Sequence, residues 1–180
     1  MFLQEELLRP IHLQASYTIK MIHLVKVNGG NIYDILALNV EESQKSFVSD
    51  NKTSLAEAYA AVTCGGHVFP FGIYDDDTPV GFVMIGFGTD EYWEDHPGVA
   101  EDNYNIWRFM IDFRYQNKGF GRAAMKLILD FVRTYPCGKA DKCWISYEPE
   151  NTVAEKLYSS FGFEPNGETD GNEIVAVLNL

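Results

Sequence analysis

Ile111-Asp112-Phe113-Arg114-Tyr115-Gln116-Asn117-Lys118-Gly119-Phe120-Gly121-Arg122 joins two different patterns. Before it, Tyr104–Asp112 (YNIWRFMID) is dense in apolar and aromatic residues and reads as a strand. After it, Phe120, Ala124, Leu127, Ile128 and Phe131 fall on one stripe of a helix over 119–135. The junction has the kernel Gln116-x-x-Gly119-x-Gly121. Glycines there let the backbone approach a ligand closely, and a helix N-terminus offers free N–H groups to an anion. Lys118 and Arg122 add positive charge. Gly-Lys-Ser/Thr is missing, so this is no Walker loop. The third glycine of a dinucleotide fingerprint is missing as well, and the strands before it read as antiparallel hairpins.

Outward from this junction the elements alternate. Strands are expected at 21–27, 68–74, 80–87, 104–112, 142–147, from Phe163, and at 174–180. Helices are expected at 31–38, at 55–62 behind a Ser54/Glu57 capping box, at 119–135, and from Asn151 to about Phe161. Asp75-Asp76-Asp77 reads as a solvated turn and Asp170-Gly171 as a hairpin turn. The long polar stretch 89–103 reads as a loop able to carry function. Residues 1–20, whose weak helical pattern stops at Pro10, read as an extension before a single domain at 21–180.

The chain has 180 residues, 46% hydrophobic, enough for one real core. Its net charge is −12, which excludes a protein built mainly to grip nucleic acid or an anionic membrane surface. No apolar run reaches membrane-span length. Three cysteines, Cys64, Cys137 and Cys143, form no framework and no Cys/His metal cluster, so reduced thiols in a cytoplasm and no metal are expected. The charge is unevenly spread. Residues 53–107 hold no Lys or Arg against ten acidic residues, whereas 108–142 hold eight basic residues against Asp112, Asp130 and Asp141. This division suggests one half-site for a cation and one for an anion.

Gln116-x-x-Gly119-x-Gly121, followed by Asn151-x-x-Ala154-x-x-Leu157-Tyr158-x-x-Phe161-Gly162-Phe163, resembles the GNAT superfamily of acetyl-CoA-dependent N-acetyltransferases. The resemblance covers about residues 21–180. It implies an α/β fold: a mixed, mostly antiparallel sheet of six to seven strands flanked by about four helices. A closer resemblance is to bacterial spermine/spermidine (diamine) N-acetyltransferases. It rests on Leu38-Asn39-Val40-x-x-x-Gln44-x-x-Phe47-Val48-x-x-Asn51-x-x-Ser54-Leu55, on Trp107–Asp112, and on Tyr115–Gly119.

The resemblance implies that acetyl-CoA lies where the strand ending at Asp112 splays from the strand beginning near Cys143. Backbone groups of Met110, Ile111 and Phe113 would pair with the pantetheine arm, and the Ile111 N–H would polarise the thioester carbonyl. The backbone of Gln116, Asn117, Lys118, Gly119, Phe120, Gly121 and Arg122 would hold the pyrophosphate. Asn151 would bind the pantetheine region, and Tyr158 would protonate the departing thiolate. A homodimer is compatible with this fold.

Chemistry adds a requirement. A primary amine with a pKa near 10.4 is less than ~0.1% neutral at pH 7, so proton removal needs help worth roughly 4–5 kcal/mol. Some relatives carry Glu on the strand before Asn151, where this chain has Ser146; others carry acids where it has Trp107 and Arg108. A water chain is the favoured expectation. Glu41, Glu42, Glu91, Glu94, Asp95 and Glu148 are the candidate acids beside it, and His96 is a candidate proton carrier. Glu41, Glu42, Phe47, Tyr92 and Trp93 are expected to bind a small cationic acceptor, its methylenes on the aromatic rings and its ammonium groups in cation–π contact. The alternatives are another acceptor (an amino acid, an antibiotic or a protein amine) or a non-catalytic acyl-CoA-binding regulatory module.

Overall fold

The computed structural model describes residues 22–180. The extension expected at 1–20 lies outside the described residues. In chain order the elements are β1 (Ile22–Lys26), α1 (Ile32–Leu36), α2 (Asn51–Thr63), β2 (His67–Asp75), β3 (Thr78–Phe87), β4 (Tyr104–Ile111), α3 (Phe120–Val132), β5 (Lys142–Tyr147), α4 (Thr152–Ser159), β6 (Glu164–Asp170) and β7 (Glu173–Asn179). The seven strands form one mixed sheet in the order β1-β2-β3-β4-β5-β7-β6.

Each face of the sheet has its own apolar layer. On one face α3 lays Phe120, Ala124, Met125 and Ile128 against Ile73, Val83, Ile106 and Ile145, with Tyr158 and Phe163 completing the layer. On the other face α1 and α2 bring Ile35 and Ala58 to Phe82, Met84 and Met110. Farther along that second face Val99 and Ala100, from the loop before β4, seal Trp144 and Val175. Burying residues of this size from water at about 25 cal/mol per Å² supplies the main drive to fold.

Several ends differ from the sequence reading, each for a local reason. The helix expected at Leu55 starts four residues earlier. Asp50 caps it by accepting from the Thr53 N–H at 2.7 Å, so the Ser54/Glu57 box is not used. Ser54 Oγ instead donates to the Asp50 carbonyl at 2.9 Å, and Glu57 is drawn to Arg108. The helix expected to reach Phe161 stops at Ser159, where Gly162, at φ +91°, turns the chain and the Phe163 N–H bonds back to the Tyr158 carbonyl.

β4 positions the site. It pairs antiparallel with β3 along its length but parallel with β5 only at Tyr104↔Cys143 and Asn105↔Trp144. The β3–β4 register shifts between Met84↔Arg108 and Ile85↔Ile106, leaving Trp107 as an extra residue on β4. Such a bulge bends its strand and breaks the ladder. Beyond it β4 and β5 separate, and a slot opens through the sheet.

Candidate active site

The slot is the centre of a cleft of about 440 Å³, lined by β4 from Ile106 to Ile111, by β5 from Ile145 to Tyr147, and by the start of α4. Its mouth is framed by the segment from Gln44 to Ser49, including Phe47, and by Tyr115, Gln116, Asn117 and Gly121. A ligand of cofactor size fits clefts of this kind.

Strand register decides which backbone groups are available. Asp112 N donates to the Val80 carbonyl at 2.9 Å. Antiparallel pairs alternate, so Met110 exchanges its hydrogen bonds with Phe82, while Ile111 and Phe109 turn their peptide groups away from β3, into the slot. The Ile111 N–H is therefore free of the β3 ladder and directed into the slot. Two expectations change. Met110 spends its backbone groups on β3, and the Phe113 N–H donates to the Asn39 carbonyl at 2.9 Å. Met110 therefore has no backbone group facing the slot and the Phe113 N–H is taken, whereas Phe109 turns its peptide groups into the slot beside Ile111.

The loop before α3 leaves a set of backbone donors free at the helix start. Gly119 is its N-cap at φ +86°, and Asn117 also adopts a left-handed φ of 60°. The first intrahelical bond runs from the Ala123 N–H to the Gly119 carbonyl. The N–H groups of Phe120, Gly121 and Arg122 thus have no intrahelical acceptor and point out of the helix start. The Phe120 side chain is buried in the core. Lys118 Nζ donates to the Arg114 carbonyl at 2.7 Å, and Arg122 reaches Ser160 Oγ at 2.9 Å over the Phe161 ring. Gln116 anchors the loop by donating to the Ile111 carbonyl at 3.0 Å.

Asn151 caps α4 by accepting from the Ala154 N–H at 3.2 Å and lines the cleft. Tyr158 lines it too, almost fully buried, with its ring 5.7 Å from that of Tyr147 and 6.2 Å from Phe163. Burial, then the nearby Glu173 and Tyr147, push its phenol well above the usual tyrosine range, so it stays protonated.

The acceptor side differs from the sequence reading. Phe47 lines the cleft as expected. Glu41 is occupied as the cap of a short 3₁₀ turn, and Glu42 pairs with Lys45 at 2.6 Å. Tyr92 is exposed in the loop before β4. Trp93 packs against Trp144 and His96, with ring centres at 6.1 and 5.9 Å, and so closes the apolar layer there. Glu41, Glu42, Tyr92, Trp93 and His96 are all absent from the cleft wall. Of the Lys/Arg-free stretch 53–107, only Ile106 and Trp107 reach it.

The carboxylates in the wall are Glu150 and Glu173. Glu173 lies on β7 and accepts a short hydrogen bond from Ser146 Oγ, which also lies 3.5 Å from Asp170 Oδ2. Glu173 opposes Asp170 across the β6–β7 hairpin. Arg108, on the same face, donates to Glu57 at 2.9 Å and to the Trp107 carbonyl at 2.9 Å, while its Nε is buried with no hydrogen-bond partner among the described residues. The one sequence signal for Glu173 was the Asp170-Gly171 turn, which fixes the two acids as a facing pair.

The sequence pattern of the Acetyltransferase (GNAT) family matches residues 32–163. The chain belongs to that family. It is 36% identical to the "Spermine/spermidine N(1)-acetyltransferase" of Bacillus subtilis (strain 168), over 88% of this chain and 99% of the relative. Solved structures share the fold. The spermidine N-acetyltransferase of Vibrio cholerae, in complex with CoA and spermine, superposes with a TM-score of 0.62 at 20% identity, covering 88% of this chain and 94% of that one. The PaiA N-acetyltransferase of Thermoplasma acidophilum, in complex with coenzyme A, superposes at 0.60 and 14% identity, over 88% and 99%. The GNAT chain described here is an acetyl-CoA-dependent N-acetyltransferase. Among its described residues no group of His, Cys, Asp and Glu is placed to hold a metal, and no helix is long and apolar enough to cross a membrane.

Proposed function

We propose that this enzyme transfers the acetyl group of acetyl-CoA to a primary amine of a polyamine such as spermidine or spermine, by direct attack, with Tyr158 as general acid. One observation carries the reading: the slot between β4 and β5 has Tyr158 on the wall toward α3 and α4, and Glu173 and Ser146 on the opposite face of the sheet. A thioester threaded from the helix side meets an amine arriving from the carboxylate side.

The N–H groups opening α3 bind the pyrophosphate, with Lys118 and Arg122 adding charge at its edge. Ile111 and Phe109 pair with the pantetheine arm, and the Ile111 N–H stabilises negative charge on the thioester oxygen. Asn151 borders the arm. Tyr158 gives its proton to the sulfur as the C–S bond breaks. Phe47 and Trp107 offer apolar area for methylenes, and Glu150 at the rim attracts a second ammonium group. The 36% identity to the spermine/spermidine N(1)-acetyltransferase of Bacillus subtilis supports a polyamine acceptor, and three unpaired thiols suit a reducing cytoplasm.

Incubation with acetyl-CoA and spermidine, followed by mass spectrometry, tests this directly. Monoacetylated spermidine is expected. Binding of acetyl-CoA without acetylation of any amine would favour the regulatory-module alternative.

A further inference from the structure

We propose that Glu173 is the group that takes the proton from the acceptor amine, with Ser146 and Asp170 as the residues that position it. The proposal rests on amine acetylation in this cleft.

The geometry comes from strand pairing. Ser146 of β5 lies opposite Val175 of β7, so Ser146, Val175 and Glu173 share one face of the sheet. That face also carries Met110 and Arg108 of β4, whereas Tyr158 belongs to the opposite layer. The slot joins the two faces, and both Glu173 and Tyr158 line it. An acceptor and a leaving group on opposite sides of the thioester carbon need a base and an acid on opposite sides too. Glu173 is the wall carboxylate placed for the first task, since Glu150 sits exposed at the rim.

Ser146 stands on β5 at the position where a carboxylate base would be expected. Its hydroxyl, hydrogen-bonded to Glu173, ties the acid of the neighbouring strand to that position. The charged and titratable groups around Glu173 are Asp170 of β6, Glu148 after β5, Arg108 of β4 and Tyr158 of α4. Burial raises its pKa first, Asp170 and Glu148 add to this, and the Ser146 bond and Arg108 oppose it. The net effect is upward, toward the range in which a carboxylate serves as a base near neutrality.

The protons balance. The bound ammonium group gives one proton to the Glu173 carboxylate, and the freed amine forms the C–N bond. The C–S bond then breaks, and the sulfur takes the Tyr158 proton. The nitrogen's remaining excess proton restores Tyr158, and Glu173 releases its own to solvent. The products are an acetylamide, CoA as thiol, and one proton.

The test is the pH profile of kcat for thiol release from acetyl-CoA with spermidine, using the full chain. The wild type should show an acid limb. Glu173→Gln should lower kcat about 100-fold and abolish the limb, with acetyl-CoA KM within twofold. The loss should shrink for a weakly basic primary amine. Ser146→Ala removes a stabiliser of the carboxylate and should move the limb to higher pH. Asp170→Asn removes a repelling charge and should move it to lower pH. If Glu173→Gln is unstable, these two opposite shifts decide. Wild-type kcat in Glu173→Gln, an effect on acceptor KM alone, or a limb that neither neighbour moves would each overturn the proposal. Failure of the wild type to acetylate any amine would instead overturn the function on which it rests.

Discussion

Gln44 and Gln116 exchange two amide hydrogen bonds across the mouth of the cleft, Gln116 Nε2 to Gln44 Oε1 at 2.8 Å and Gln44 Nε2 to Gln116 Oε1 at 3.2 Å. One belongs to the segment between α1 and α2, the other to the loop that leads into α3. With the Asn39 bonds to Phe113 and Asp112, this pair ties the segment between α1 and α2 to the junction that leads into α3. Gln44→Ala removes both amide bonds but leaves Gln116 bonded to the Ile111 carbonyl, so it should raise acceptor KM about fivefold, a net loss of about 1 kcal/mol for the pair, and change acetyl-CoA KM less. Gln116→Ala should raise both. Steady-state kinetics with each substrate varied separates these outcomes.

Tyr158→Phe keeps the ring and its packing on Tyr147 and Phe163. It should lower kcat about 100-fold with acetyl-CoA KM nearly unchanged. Because burial holds the phenol protonated, the wild type should show no basic limb from Tyr158 below about pH 10. Unchanged turnover in the mutant would remove Tyr158 from the reaction.

Asp112 is buried at the foot of β4 and accepts from Asn39 N at 3.0 Å, Arg114 N at 3.0 Å, Arg114 Nε at 2.7 Å and Arg114 Nη2 at 3.0 Å. Burial raises its pKa, but these bonds outweigh burial and hold it below the usual carboxylate range. With the folded pKa depressed, its stabilising contribution is full above the unfolded value of about 3.9 and fades as pH falls through the folded one. Asp112→Asn should cost about 1.5–3 kcal/mol in urea unfolding at pH 7, and less below pH 4.

Gly119 holds a left-handed φ of +86°. Gly119→Ala strains that turn by about 1–2 kcal/mol. It should raise acetyl-CoA KM about tenfold and leave acceptor KM near the wild-type value. An equal effect on both substrates would count against a cradle at this turn.

The strand-to-helix junction was legible because glycine spacing and apolar stripes are local properties. Gly119 at the cap of α3 and Asn151 at the cap of α4 stand where their residue types predict. The acceptor side was not legible in the same way. The acid-rich loop around Glu94 and Asp95 looked like a cation site, yet Trp93 folds it against Trp144 and away from the cleft. Glu173 reaches the cleft through pairing of β7 with β5, a long-range register that no local pattern records. Likewise, that Met110 spends its backbone groups on Phe82 follows from pairing with β3, not from the residue's identity.

Acetylation of polyamines in this cleft is tested most directly by kcat/KM for thiol release with spermine, spermidine, putrescine, amino acids, an aminoglycoside and a basic peptide, at low and high salt. Spermine and spermidine should give the highest values, with acceptor KM rising with salt as Glu150 at the exposed rim is screened. Turnover confined to a non-polyamine acceptor, or no turnover with any amine, would contradict it.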